Sequence, residues 1–306
     1  MKTRYNHLNE YLKNKFGERV LKICVDGGFT CPNRDGSKGY GGCIFCGEDG
    51  AGENIKGKCL NHIESIKNQI ETFINSYRGY RANKFIVYFQ SFSSTYDTMD
   101  NLKLKYDTAL RVSNKIIGIE IATRPDLITP EVVALLKTYK QRYYVCVELG
   151  LQTANNEIGE LINRKYSTED FENACRLLSE QGIDIVGHLM VGLPQEKPND
   201  IMNTVHLINR NCNGIKIHST FVQKDTELAK LYNTGNYKPI TLEYYVMQVC
   251  NIIAGLNKSI IVHRINADPP KDKLVAPDWM LRKKIILNTI NNELEKRNIS
   301  QGDNII

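Results

Sequence analysis

Cys31-Pro-Asn-Arg-Asp-Gly-Ser-Lys-Gly-Tyr-Gly-Gly-Cys43-Ile-Phe-Cys46 brings three thiols into one short loop with no obvious fourth. Iron-sulfur clusters are ordinarily held by four cysteine thiolates. A [4Fe-4S] cube held by Cys31, Cys43 and Cys46 alone would keep one iron open to a further ligand. Gly36, Gly39, Gly41 and Gly42 suit such a loop, because a chain without Cβ atoms approaches inorganic sulfide closely. Phe45 lies between the last two thiols, where it could shield a cluster or stack on a bound ring.

Two other metal readings stay open at this point. Cys43-x2-Cys46 followed by Cys59-Leu-Asn-His62 has the donors of a Cys3His zinc site, which would make the chain a nucleic-acid-binding ribbon without catalysis. An electron-transfer iron-sulfur protein would need Cys24 or Cys59 to fold back as fourth ligand. Against zinc, Cys31 shares the glycine-rich loop with the other two thiols, and the rest of the chain reads as a barrel enzyme.

Strand-like runs at residues 20–25, 84–89, 116–122, 143–150, 185–191 and 214–221 alternate with helical patterns at 63–77, 101–113, 130–139, 167–181, 199–211 and 242–256. Such alternation predicts parallel βα units in series. Thr129-Pro-Glu and Ser167-Thr-Glu-Asp supply a capping oxygen and first-turn acids at two helix starts. Six units give an α/β fold, an open (β/α)6 partial TIM barrel. The last segment, beyond residue 256, is expected to close one side with a strand and a helix. The expected division is 1–256 for the barrel, with the cluster loop at 31–46, and 257–306 for a substrate-contacting extension.

The 306 residues include 42% hydrophobic side chains, enough for a sizeable core, and 40 Lys plus Arg against 34 Asp plus Glu. The resulting +6 permits a polyanionic partner if the charges cluster, as in Lys56 and Lys58, Arg78-Gly-Tyr-Arg81-Ala-Asn-Lys84, Lys137 to Arg142 or Arg282-Lys283-Lys284. The basic N-terminus has no apolar signal core, and no apolar run reaches bilayer length. Nine cysteines then point to a reducing cytoplasm, with Cys24, Cys146, Cys175, Cys212 and Cys250 expected to be packing residues.

The spacing C-x11-C-x2-C and its flanking sequence resemble the radical S-adenosylmethionine (SAM) enzymes, in particular the elongator-related group and its YtqA/YhcC type. The likeness runs from about Tyr5 to Gly302. It implies a partial barrel, a [4Fe-4S] cluster on Cys31, Cys43 and Cys46, and reductive cleavage of SAM to methionine and a 5′-deoxyadenosyl radical. It further implies an external electron donor such as flavodoxin or ferredoxin. On the same resemblance Gln90 and Ser91 contact the methionine amine, although the family's Gly-Gly-Glu pattern is missing there. Glu120 contacts SAM, Gln152 bonds the ribose and Arg164 pairs with the methionine carboxylate. His188, where relatives carry aspartate, touches ribose or substrate. For the YtqA type the implied substrate is tRNA, with the wobble uridine changed from 5-carboxymethylaminomethyl to 5-aminomethyl; a small-molecule substrate is the alternative. His263, Arg264, Asp268 and Asp272 gather near the expected mouth, and Trp279 is expected to anchor the last helix.

Overall fold

The computed structural model describes residues 4–50 and 55–304. Its centre is a seven-stranded, wholly parallel sheet. The strands are β1 (Val20–Val25), β2 (Lys84–Phe89), β3 (Ile116–Thr123), β4 (Tyr144–Gln152), β5 (Asp184–Val191), β6 (Gly214–Ser219) and, after the short β7 (Val222–Gln223), β8 (Ile261–Arg264). Six strands pair in sequence order, and β8 adds to β6 as the seventh. The curled half-barrel is thus the expected partial TIM barrel, with a C-terminal strand on its last edge. A separate antiparallel pair, β7 with β9 (Leu274–Ala276), stands beyond the end of β6.

Helices α1 (Leu8–Phe16), α2 (His62–Ile74), α3 (Met99–Arg111), α4 (Pro130–Lys140), α5 (Asn156–Leu161), α6 (Thr168–Ser179), α7 (Pro198–Asn211), α8 (Glu227–Asn233), α9 (Leu242–Gly255) and α10 (Lys283–Lys296) connect or flank the strands. Thr129 caps α4 through the Val132 amide, and Ser167 with Asp170 forms a capping box on α6. Helix α10 packs on α9, closing the last side, while Trp279 stacks on Tyr245 and donates to the Ile240 carbonyl.

Side-chain alternation along the strands decides which face is which. Ile23, Val25, Val87, Phe89, Ile119, Ile121, Val147, Leu149, Ile185, Ile215 and Ile217 belong to the apolar core shared with the helices. The intervening positions turn inward and include Lys22, Tyr88, Glu120, Glu148, His188 and Lys216, which bond to one another across the sheet. Cys146, Cys175 and Cys250 are buried as expected, but Cys24 is exposed. It occupies an inward position beside Tyr88, and Lys22 and Lys216 influence its thiol, so it lines the open interior instead of packing in the core.

Candidate active site

The mouth lies at the C-terminal ends of the parallel strands, where α/β barrels assemble their chemistry. The cysteine loop leaves β1 and folds on itself. The Cys31 carbonyl accepts from the Arg34 and Asp35 amides, the Pro32 carbonyl from Lys38 and Gly39, and the Cys43 carbonyl from Cys46 at 2.9 Å. Gly41 and Gly42 take φ of 76° and 81°, a backbone that only glycine adopts without strain. The loop is pinned to the segment after α5. Asn33 donates to the Asn163 carbonyl at 2.6 Å, Asn163 donates back to the Gly42 carbonyl at 2.7 Å, and the Ile44 amide donates to the Ile162 carbonyl. Arg34 ties the far end through the Cys46 and Gly47 carbonyls.

Cys46 and Cys31 both lie near enough to Cys43 for their charges to act on its thiol. Burial pushes the Cys43 thiol up to about 12, with Cys46 and Cys31 adding to the rise and Arg124 opposing it. A thiol raised in this way becomes thiolate readily when a metal compensates the charge.

Ser91 and Gln90 follow β2. Ser91 is buried, and its hydroxyl has no hydrogen-bond partner within the protein. Gln90 is half-buried at the same strand end, its amide on the Val25 carbonyl. Strand β4 runs two residues further than its sequence pattern predicts, through a register shift at Gly150 and Gln152. There Gln152 adopts φ 60° and accepts from the Tyr166 hydroxyl at 2.8 Å. A Cβ on Gly150 would stand 2.6 Å from the Gln152 amide nitrogen, so the glycine is what lets that side chain lie across the strand end.

Arg164 is fully buried. Four of its five N–H groups are taken up, by the carbonyls of Leu151, Thr153 and Tyr166 and by the Asn156 side chain. A bidentate grip on a methionine carboxylate would require at least one of these bonds to break, so the geometry gives Arg164 the role of bracing the β4 turn. Neighbouring Arg124 is spent in the same way, on Asp126 and on the Arg164 and Lys165 carbonyls.

Glu120 and His188 lie deeper, in a network that runs across the half-barrel. Lys22 bonds Glu120 at 2.5 Å and approaches the His263 Nδ1 to 3.1 Å. Glu148 accepts from Lys216 at 2.5 Å, from His188 Nε2 at 2.8 Å and from the Tyr88 hydroxyl. Burial by itself would raise the Glu148 carboxyl, but Lys216 and Lys22 outweigh it and hold the group well below the usual carboxylate range. Burial would lower the Lys22 ammonium, and Glu120 and Glu148 reverse that. His188 is lowered by burial, only partly offset by Glu148, and is neutral at pH 7. Among the described residues the one grouping of His, Cys, Asp and Glu donor atoms within 4.8 Å is Glu120, Glu148 and His263, and Lys22 already occupies its centre as the cation.

Residues 31–208 match the Radical SAM superfamily, and residues 212–296 match the Radical_SAM C-terminal domain. The chain belongs to the radical SAM superfamily. It is 35% identical to the uncharacterized protein YtqA of Bacillus subtilis, over 98% of this chain and 92% of that protein. It is 34% identical to YhcC of Escherichia coli, over 88% and 85%. Radical SAM proteins of the YtqA/YhcC type are therefore its kin. A shorter match, 30% identical over 53% of this chain and 30% of the other, is to a tRNA uridine(34) acetyltransferase of Methanocaldococcus jannaschii. The fold is that of the solved Methanocaldococcus infernus Elp3, with a TM-score of 0.66 at 19% identity over 92% of this chain and 64% of that one.

As a radical SAM enzyme the protein is expected to carry a [4Fe-4S] cluster and SAM, and the loop fits the cluster. Zinc bound to sulfur at about 2.3 Å draws its donors into a tight tetrahedron. Among the described residues no three of Cys43, Cys46, Cys59 and His62 come within 4.8 Å of one another. Cys31, Cys43 and Cys46 do not all come within 4.8 Å of one another either, but the three stand half-buried on the one loop, and Asn33 Nδ2 lies 4.0 Å from Cys43 Sγ. The sequence singles out His263 as part of a charged group at the mouth, whereas the structure sets it against Lys22, Glu120 and Glu148, and Lys22, Tyr88 and Glu148 are not marked by the sequence as a network. Its only sequence signal was charged residues at alternate positions of otherwise apolar strands, as at Lys22 and Glu148.

Proposed function

We propose that this radical SAM enzyme modifies the wobble uridine of tRNA, converting 5-carboxymethylaminomethyluridine to 5-aminomethyluridine. The observation that carries the reading is the partial likeness to a tRNA uridine(34) acetyltransferase, joined to a basic rim beside the mouth. Arg282, Lys283 and Lys284 crowd the start of α10, whose first turn carries no acidic residue, and of the three Lys283 is paired, with Asp268 at 2.7 Å. Cations at a helix N-terminus oppose the helix dipole, and phosphate there would satisfy both. Lys283 reaches Asp268, which follows β8 at the mouth end of the sheet, so the run borders the opening.

In this reading Cys31, Cys43 and Cys46 hold the cluster, and Ser91 and Gln152 contact SAM with Gln90 beside them. The bound cluster and SAM supply one-electron chemistry, using an external donor such as flavodoxin or ferredoxin. The protein's own part is to orient the substrate methylene and keep water from it. The hydrogen atom taken first would be that of the glycine-derived methylene, because nitrogen and carboxylate on either side stabilise the carbon radical. Loss of a second electron to an external one-electron acceptor would give the imine, and its hydrolysis after the radical step would leave the aminomethyl group and release the two carbons as glyoxylate. The lumen suits a substrate bearing both charges, since Lys216, Lys22, Glu148 and neutral His188 line it. The cytoplasm, where tRNA and low-potential reductants meet, is the expected compartment; among the described residues no helix is long and apolar enough to cross a membrane. The test is mass spectrometry of wobble nucleosides from a deletion strain. Accumulation of the carboxymethylaminomethyl form supports the reading, and an unchanged nucleoside profile overturns it.

A further inference from the structure

At the opposite end of the half-barrel from the mouth, the turn between α2 and β2 presents Tyr77, Arg78, Tyr80 and Arg81 to solvent. Tyr77 is 84% exposed and Tyr80 77%. Large aromatic rings left this open cost burial energy that a folded chain normally recovers. Among the described residues, no side-chain hydrogen bond or ion pair occupies either tyrosine or Arg81, and Arg78 has only the Phe73 ring, 5.7 Å from its guanidinium carbon.

The turn itself is rigid. It is a 3-10 turn in which Tyr80 donates to the Ser76 carbonyl and Ala82 to that of Gly79, while the Ser76 hydroxyl links the Phe73 carbonyl to the Gly79 amide. Gly79 is buried so tightly that a Cβ would stand 2.3 Å from the Phe73 and Ile74 carbonyls. The backbone that carries the two rings and two guanidinium groups in alternation is thus already ordered, while the side chains themselves stand free in solvent. Two more exposed cations stand at the same end, Arg19 just before β1 and Lys115 just before β3. The Glu18 carboxylate nearby is paired with Lys84.

We infer that this turn is a second RNA contact, a stacking platform for unpaired bases with cations for the flanking phosphates. Alternating aromatic and basic side chains are what a single strand recognises, since every base has a face to stack and every phosphate a charge. The inference rests on the tRNA reading but concerns a different surface. Helix α2 has 13 residues, so the turn lies about 20 Å from the mouth along the edge of the half-barrel. An RNA engaged at both places would lie along that edge.

The test measures binding of a tRNA transcript, a short oligouridylate and a blunt RNA duplex by fluorescence anisotropy at several salt concentrations. The Tyr77→Ala/Tyr80→Ala protein should bind tRNA and oligouridylate about tenfold or more weakly, with an unchanged thermal midpoint, and lose little on the duplex. Tyr77→Phe/Tyr80→Phe should bind as wild type, because stacking needs the ring and not the hydroxyl. Arg78→Ala/Arg81→Ala should lower the log–log salt slope by about 1.4 on the oligouridylate. Wild-type RNA affinity in the alanine variants would overturn this contact, leave the tRNA reading standing and make the turn a protein-facing surface. Equal losses in the phenylalanine and alanine pairs would also overturn it. A wild-type protein that binds no RNA would sink the tRNA reading itself.

Discussion

Lys22 on the first strand and Glu120 on the third meet at 2.5 Å inside the half-barrel, with the carboxylate fully buried. Both positions fall on the inward face that alternation assigns, and strand β2 between them contributes Tyr88. Two lysines, two carboxylates, the Tyr88 hydroxyl and the His188 imidazole therefore meet on one inward polar wall. Removing one charge leaves its partner buried and unpaired, which costs far more than the net value of the pair.

Glu148→Gln should accordingly destabilise the fold by about 3–5 kcal/mol in chemical denaturation. The folded carboxyl is depressed, so its contribution is present above the unfolded value and is lost as pH falls through the folded one. The variant should lose the wild-type's steep stability decline at acid pH, and wild-type stability in the variant would show that Lys22 and Lys216 find other partners.

Glu196 has the opposite sign. Burial raises its carboxyl to about 8, against the opposing pull of the Gly192 and Leu193 amides. A raised folded value gives stability that is full below the unfolded value of about 4.5 and is lost as pH climbs to 8. Glu196→Gln should flatten that decline, gaining on the order of a few kcal/mol above pH 8. A parallel pH profile in wild type and variant would refute it.

Ser at any one of Cys31, Cys43 or Cys46 should abolish the brown chromophore after anaerobic reconstitution, together with conversion of SAM to 5′-deoxyadenosine. Cys59→Ser should retain both. A serine variant at the three positions that still cleaves SAM would sink the cluster assignment, and dependence on Cys59 would revive zinc.

Arg164→Ala should unfold several degrees below wild type, because the Leu151 and Thr153 carbonyls at the end of β4 and the Tyr166 carbonyl before α6 lose their buried donor. Full thermal stability combined with lost SAM affinity in calorimetry would return Arg164 to a direct carboxylate contact.

Replacing Arg282, Lys283 and Lys284 by Ala should weaken tRNA binding and make it less salt-dependent, each lost phosphate contact lowering the slope by about 0.7–0.9. Wild-type affinity and slope would eliminate the rim.

Much of this was written in the chain itself. The alternation of strand and helix patterns gives the parallel half-barrel, because apolar periodicity is local and each βα unit repeats it. Cys31, Cys43 and Cys46 are likewise local, three donors within one loop whose glycines allow its turns. The partners of Glu120, His188 and Arg164 emerge only in three dimensions. Their partners, Lys22, Glu148 and the Leu151 and Thr153 carbonyls, are brought to them by strand register and by the turn after β4, and register depends on the packing of the whole sheet. Tertiary structure likewise placed Cys24 in the lumen, since an isolated thiol in a short strand looks the same from sequence whether it faces core or cavity. Charges at strand positions reveal that an interior is polar, but which opposite charge meets which follows from the curvature that folds the sheet back upon itself.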